Sequence, residues 1–153
     1  MAWGHGDRFE AQLGAVSSRI GAKKLGYNIT VLAPGKRAFP FHNHRVNEEM
    51  FFVLEGEGEI RIGPETFPVA KGDIIACPAG GQETAHQILN TSETDEMKYL
   101  AVGTSQSPEI AEYPDSGKVG VLAEFSAKGD GKPTVMRYII RDQAGMTDYW
   151  EGE

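Results

Sequence analysis

The chain has 153 residues, 40% of them hydrophobic and 24% charged, which suits one soluble domain with a core of its own. Its formal net charge is −7 and its sequence pI is near 5.1, and no dense Lys/Arg run occurs, so nothing marks a nucleic-acid binder. No apolar run reaches the length of a membrane span, the first residues lack the pattern of a signal peptide, and the lone cysteine, Cys77, excludes an intrachain disulfide; the expected location is cytoplasmic.

Residues 1–24 form an N-terminal arm. Phe9, Leu13, Val16 and Ile20 have a helix-like spacing that Gly14 and Gly21 weaken, which predicts a short helix or an irregular arm outside the main sheet. His5 lies here and reads as an exposed terminal histidine. From residue 25 the pattern is β. The segment 25–33 (LGYNITVLA) sets Tyr27, Ile29, Val31 and Ala33 on one face, and Pro34-Gly35 turns the chain. Residues 49–54 (EMFFVL) are a strand, 55–58 (EGEG) a hairpin-type turn, and 59–62 the return. Further strands are expected at 66–70, 73–77, 85–89 and 97–103, with turns or loops between them at Lys71-Gly72-Asp73, 78–85 and 90–96. Short strands separated by glycine turns predict an all-β sandwich or barrel over 25–104. Residues 105–153 add strands at 119–125 and 134–140, with a turn at 128–133. They read as a C-terminal extension packed on the same domain, adding edge strands or a dimer contact.

The chemistry is concentrated in FHNHRVNEEM, residues 41–50. Alternation along a strand points His42 and His44 to one face, and Glu48 or Glu49 can join them when the chain re-enters a sheet. His86 is the remaining histidine outside the arm; it follows a loop and sits on a predicted strand among small residues. Three imidazoles and one carboxylate suit a single divalent ion: Fe, Mn, Ni or Zn. Arg37, Arg61 and Tyr99 are candidates for binding an anionic substrate inside a barrel, though charged strand residues more often face solvent. Cys77 reads as a small buried hydrophobe, not a nucleophile.

These residues resemble the two motifs of the cupin family. Gly35, His42, His44, Glu49 and Gly56 match the first, with one extra residue between Gly35 and His42. Gly72, Pro78, Gly80, His86 and Asn90 match the second, with a loop before His86 three residues longer than the pattern. The six-residue gap to Gly56 selects Glu49 over Glu48. The resemblance implies an antiparallel double-stranded β-helix and a metal held by His42, His44, Glu49 and His86. It is similar to single-domain bacterial cupins, some of them labelled sugar-phosphate isomerase-like.

The implied function is a metal-binding small-molecule cupin: a sugar or sugar-phosphate isomerase-like enzyme, a dioxygenase-type enzyme, or a non-catalytic module that binds or senses a small ligand. The expected partners are a small-molecule ligand or substrate and a second copy of the chain as a homodimer, with neither nucleic acid nor membrane. No residue is singled out as a general base.

Overall fold

The computed structural model describes residues 1–125, 134–141 and 150–152. The turn expected at 128–133 lies outside these residues. Thirteen strands are described: β1 Ala2–His5, β2 Phe9–Ala15, β3 Leu25–Leu32, β4 Asn43–His44, β5 Glu49–Glu55, β6 Glu57–Ile62, β7 Glu65–Ala70, β8 Ile74–Cys77, β9 His86–Leu89, β10 Met97–Thr104, β11 Glu109–Tyr113, β12 Lys118–Phe125 and β13 Thr134–Arg141. One short helix, α1, spans Ser17–Ile20. All ladders between these strands are antiparallel, in sheets ordered β1-β2-β3-β10-β5-β8, β7-β6-β9 and β13-β12-β11-β4. The fold is the all-β, antiparallel cupin barrel that the two motifs imply.

The N-terminal arm corrects the helical expectation. Its apolar residues work at period two: Ala11 is buried, flanked by half-buried Phe9 and Leu13, and β2 pairs with β3 from Ala11↔Leu32 to Ala15↔Asn28. Gly6, at φ 56°, makes the β1–β2 turn, so the arm is a hairpin that widens the barrel sheet. Helix survives only in α1, four residues long with none buried.

The turn at residues 55–58 is also different from the hairpin expected. β5 pairs with β10 and β8, whereas β6 pairs with β7 and β9, so Gly56 is a corner that carries the chain from one sheet to the other. It stands at φ 80°, and a Cβ there would lie 2.7 Å from the Glu96 carbonyl oxygen, so only glycine fits. Local sequence marks the bend but not which sheet the next strand joins.

Between the sheets Leu32, Phe51, Val53, Ile60, Ile88, Met97 and Tyr99 form the core. In β3 the fully buried face is that of Thr30 and Leu32, and the Tyr27, Ile29 and Val31 face is only half-buried. Asn90 is fully buried beneath β9, donating to the carbonyls of Leu32, Ala33 and Asp95 at 3.2, 3.1 and 2.8 Å, while its side-chain oxygen accepts from the Ser92 N–H at 3.0 Å. It fastens one end of the barrel, where apolar packing alone leaves those carbonyls without donors.

β11 pairs directly with the histidine strand, in the register Ala111↔His44 and Glu112↔Asn43. The sheet built by residues after 105 is therefore continuous with the strand that carries His44.

Candidate metal centre

Strand alternation aims the histidines. Asn43 is buried with its amide donating to the Gly80 carbonyl at 3.0 Å and to Glu112 at 2.8 Å, and His42 and His44 on either side face the other way. Glu49 opens β5 on the phase of buried Phe51 and Val53, while Glu48 is exposed. His86 opens β9 directly opposite His42, the two joined by reciprocal backbone hydrogen bonds of 2.8 and 3.3 Å. The long loop before His86 is taken up by a single turn at Gln82–Thr84, and the Gly80 N–H donates to the His44 carbonyl at 2.8 Å. The extra residues are absorbed without drawing His86 away.

The structure brings all four predicted side chains around one carboxylate oxygen. Glu49 Oε2 lies 3.0 Å from His86 Nε2, 3.5 Å from His44 Nε2 and 3.9 Å from His42 Nε2. His42, Glu49 and His86 offer ligand atoms all within 4.8 Å of one another; His44 meets Glu49 but lies outside that mutual set. Ligands that share an ion at bond lengths of about 2.0–2.2 Å stand roughly 3–3.5 Å apart when adjacent and about 4 Å apart when opposite, so the 3.0–3.9 Å distances to Glu49 suit a common cation.

The outer ring nitrogens are engaged too. His42 Nδ1 lies 2.8 Å from the Pro40 carbonyl oxygen and His86 Nδ1 lies 3.2 Å from that of Thr84. A carbonyl can only accept, so each Nδ1 carries a proton, which leaves Nε2 as the ring atom that faces Glu49 and can bind an ion. His44 Nδ1 faces Glu109 Oε2 at 3.5 Å. Hydrogen-bonding the outer nitrogen of a metal-binding histidine fixes its tautomer and orientation in this way.

Electrostatics support the same donor set. Burial, with His86 and His44 nearby, lowers the His42 pKa to about 4 and keeps the ring neutral. Burial alone would raise Glu49, but hydrogen bonds from His44 and His86, with the charge of His44 and His42, outweigh it and hold the carboxylate well below its usual range. For His44 burial works downward, and the contacts with Glu49 and Glu109 overcome it and raise the pKa. Cys77, nearby on β8, is pushed up to about 12 by burial and by the Glu49 charge, and remains a thiol.

Beside this cluster is a cavity of about 180 Å³, lined by Phe39, Phe51, Ile88, Ala101, Tyr99 and Thr30 among others. Burial raises the Tyr99 pKa, so it presents a neutral phenol. Of the anion-binding candidates only Tyr99 lines this space. Arg61 sits 3.6 Å over the Phe41 ring and binds both Asp115 carboxylate oxygens at 3.0 Å, and Arg37 joins the bridges to Phe9 and Leu89. Glu83, in the loop before His86, is exposed and accepts from the Gly81 N–H.

Glu109 and Tyr113 escaped the sequence reading. Glu109 is 7% exposed and accepts from the backbone N–H groups of Val46, Asn47 and Ile110 at 3.2, 2.9 and 2.8 Å, and from the Asn47 amide. It ties the segment between His44 and Glu49 to β11. Tyr113 stacks on His42, with ring centres 6.0 Å apart and planes at 22°. Neither has a local signature, because each reaches the site only through the β4–β11 pairing.

The Cupin domain family matches residues 28–103. Cupincin from Oryza sativa subsp. indica is 37% identical over 87 residues, which cover 54% of this chain and 17% of cupincin. Auxin-binding protein 4 from Zea mays is 27% identical over 104 residues, 62% of this chain and 48% of that protein. The chain thus spans less than half the length of either. Among solved structures, a sugar phosphate isomerase from a cupin superfamily of Silicibacter pomeroyi is 24% identical, with a TM-score of 0.68 over 83% of this chain and 76% of that one. A candidate sugar phosphate isomerase from Acidithiobacillus ferrooxidans gives a TM-score of 0.69 at 23% identity over the same shares. At these identities the likeness to both is one of fold.

Proposed function

The chain belongs to the cupin superfamily, and from that premise we propose that it binds a divalent metal ion through His42, His44, Glu49 and His86 and takes a small molecule into the barrel beside it. The observation that carries this reading is the convergence of three imidazole nitrogens on one Glu49 oxygen, with the outer nitrogens of His42 and His86 held by carbonyls. The ion is Fe, Mn, Ni or Zn, and when bound it supplies Lewis-acid or redox chemistry to an oxygen-bearing ligand. The chain's own residues keep the His42 ring neutral and the Glu49 carboxyl ionised, exclude water with Phe51 and Ile88, and offer the Tyr99 hydroxyl as a neutral donor.

Two structural relatives carry the name sugar phosphate isomerase, which makes that chemistry a reading to test. Isomerisation needs a base free to move a proton. Among the described residues lining the cavity, no carboxylate or amine stands apart from the proposed ligand set. This favours a dioxygenase-type enzyme over a sugar isomerase. Non-catalytic binding of a small ligand is the alternative.

Untagged protein, reconstituted with each of the four metals and dialysed, is expected to retain about one equivalent of one of them; failure with all four sinks the metal reading. Oxygen uptake with small aromatics and diketones, set against isomerisation of sugar phosphates, then separates the chemistries. Binding without turnover in either assay supports the sensing alternative. We further propose a cytoplasmic homodimer, its contact supported by the exposed apolar side chains of β13 outside the groove, where Val135 and Ile140 are 51% and 50% exposed. Sedimentation showing monomer alone at micromolar concentration would remove the dimer.

A further inference from the structure

The histidine pair opens onto a second space. His42 and His44 form one end of a groove of about 450 Å³ that runs outside the barrel along β11, β12 and β13. Most of its walls lie outside residues 28–103, the part of the chain that the family match covers. The middle of the groove is aromatic. Tyr113 lies over His42, and Trp3 of β1 stands 6.0 Å from Phe39, with its indole N–H donating to the Ala38 carbonyl at 2.9 Å. Val121, Leu122 and Ile139 add apolar surface to its wall.

Two cations also line the groove. Lys118 Nζ sits 5.5 Å from the centre of the Tyr113 ring, and Arg137 lines the same wall, close enough for its charge to act on the Tyr113 hydroxyl. Arg45, Arg61 and Lys98 are each paired with a carboxylate. Lys118 and Arg137 have no such partner among the described residues. In a chain of net charge −7, two cations beside the Tyr113 ring outnumber the one carboxylate of the groove, Glu109, which is already engaged by backbone N–H groups and His44, and they form a local positive site.

We infer that this groove binds an organic anion with an apolar body: the hydrocarbon part lies against Tyr113, Trp3 and Leu122, the anionic group meets Lys118 and Arg137, and the opposite end faces the His42–His44 site. The inference deepens the metal-centre reading above, and rests on it, by naming the class of ligand that the centre receives. A sugar phosphate satisfies the cations but not the apolar part of the wall. Its hydroxyls would lie against Val121, Leu122 and Ile139, which offer no hydrogen-bonding side chain, and would lose their water without replacement. A neutral arene has the converse defect, leaving both cations without a counter-charge.

The test is a ligand-observed NMR titration of the full chain with three probes: 4-phenylbutyrate, its uncharged amide 4-phenylbutyramide, and ribose 5-phosphate. The carboxylate is expected to bind about tenfold more tightly than the amide, the scale of two partly exposed charge contacts together, and more tightly than ribose 5-phosphate. The double variant Lys118→Gln/Arg137→Gln is expected to bring acid and amide within twofold of each other. Lys71→Gln, which changes an exposed charge away from the groove, is expected to preserve the preference. Equal binding of acid and amide by the wild-type chain overturns the inference. So does tighter binding of ribose 5-phosphate, a preference that survives the double variant, or one that Lys71→Gln abolishes equally. Metal content measured on the same samples separates the two readings. One equivalent of metal without an acid preference sinks the groove alone. An acid preference with no metal retained sinks the metal centre and leaves the groove standing.

Discussion

The histidine strand lies between two regions built on different terms. On one side is the barrel of residues 28–103, in which Glu49, His86 and Asn90 are held by a continuous core. On the other is the sheet of β11–β13, whose last strand leaves Val135, Tyr138, Ile139 and Ile140 half or more exposed, yet which supplies Glu109 and Tyr113 to the same site. The barrel contributes donor atoms; the later sheet orients one of them and walls the approach. Affinity for the ion should therefore depend on the first region, and the shape and tuning of the site on the second.

The comparison breaks most readily at the donors. Glu49→Ala and His86→Ala each remove a partner from the tight set and are expected to abolish stoichiometric metal retention after dialysis, a loss larger than the 10–100-fold typical of groups behind the ligands. Metal retained at one equivalent by either variant would place the ion elsewhere.

Asn90 tests the barrel's other task, holding the donors still. Asn90→Ala leaves three carbonyls without their amide donor and is expected to cost about 2–4 kcal/mol in urea unfolding, with metal stoichiometry kept in the folded fraction. A loss under about 1 kcal/mol would show that water replaces the amide there.

These two predictions concern residues that were legible in the sequence, because their spacing is local: His42, His44 and Glu49 fall within eight residues, and His86 and Asn90 within five. The fold class followed from the rhythm of short strands and glycine turns. The illegible parts depend on pairing over distance. The bend at Gly56 reads as a turn whichever sheet the next strand joins. The arm at 1–24 carries a mixed period, and it is settled as a hairpin only by the open edge of β3. Glu109 reaches His44 across 65 positions through β11, and an isolated acidic residue at a strand start otherwise reads as exposed.

Glu109→Gln probes that missed contact. The amide keeps the shape but removes the charge facing His44 and weakens four accepted hydrogen bonds. The expected result is about a tenfold lower metal affinity by competition with a chelator, at unchanged stoichiometry. Affinity equal to wild type would reduce the later sheet to a scaffold and sharpen the division in favour of the barrel.

The smallest effect is expected at Glu112, where the later sheet grips the loop after His44 by a 2.9 Å ion pair with Arg45 and a 2.8 Å bond from Asn43. The hydrogen bond and charge of Arg45, aided by Asn43, lower the Glu112 pKa below its ordinary 4.5 against a small opposing effect of burial. A carboxylate with a depressed folded pKa stabilises the fold fully above its unfolded value, and that contribution is lost as pH falls through the folded one. Glu112→Gln should therefore be slightly less stable than wild type at pH 7, by less than any variant above, because solvent screens the pair. The difference should close as pH drops below 4.5, where the wild-type carboxylate takes up its proton. Urea midpoints of both proteins at pH 7 and pH 3 measure this directly. A gap that stays constant between the two pH values would assign the effect to the Asn43 contact and not to charge, and the tie between the two regions would then be one of hydrogen bonding alone.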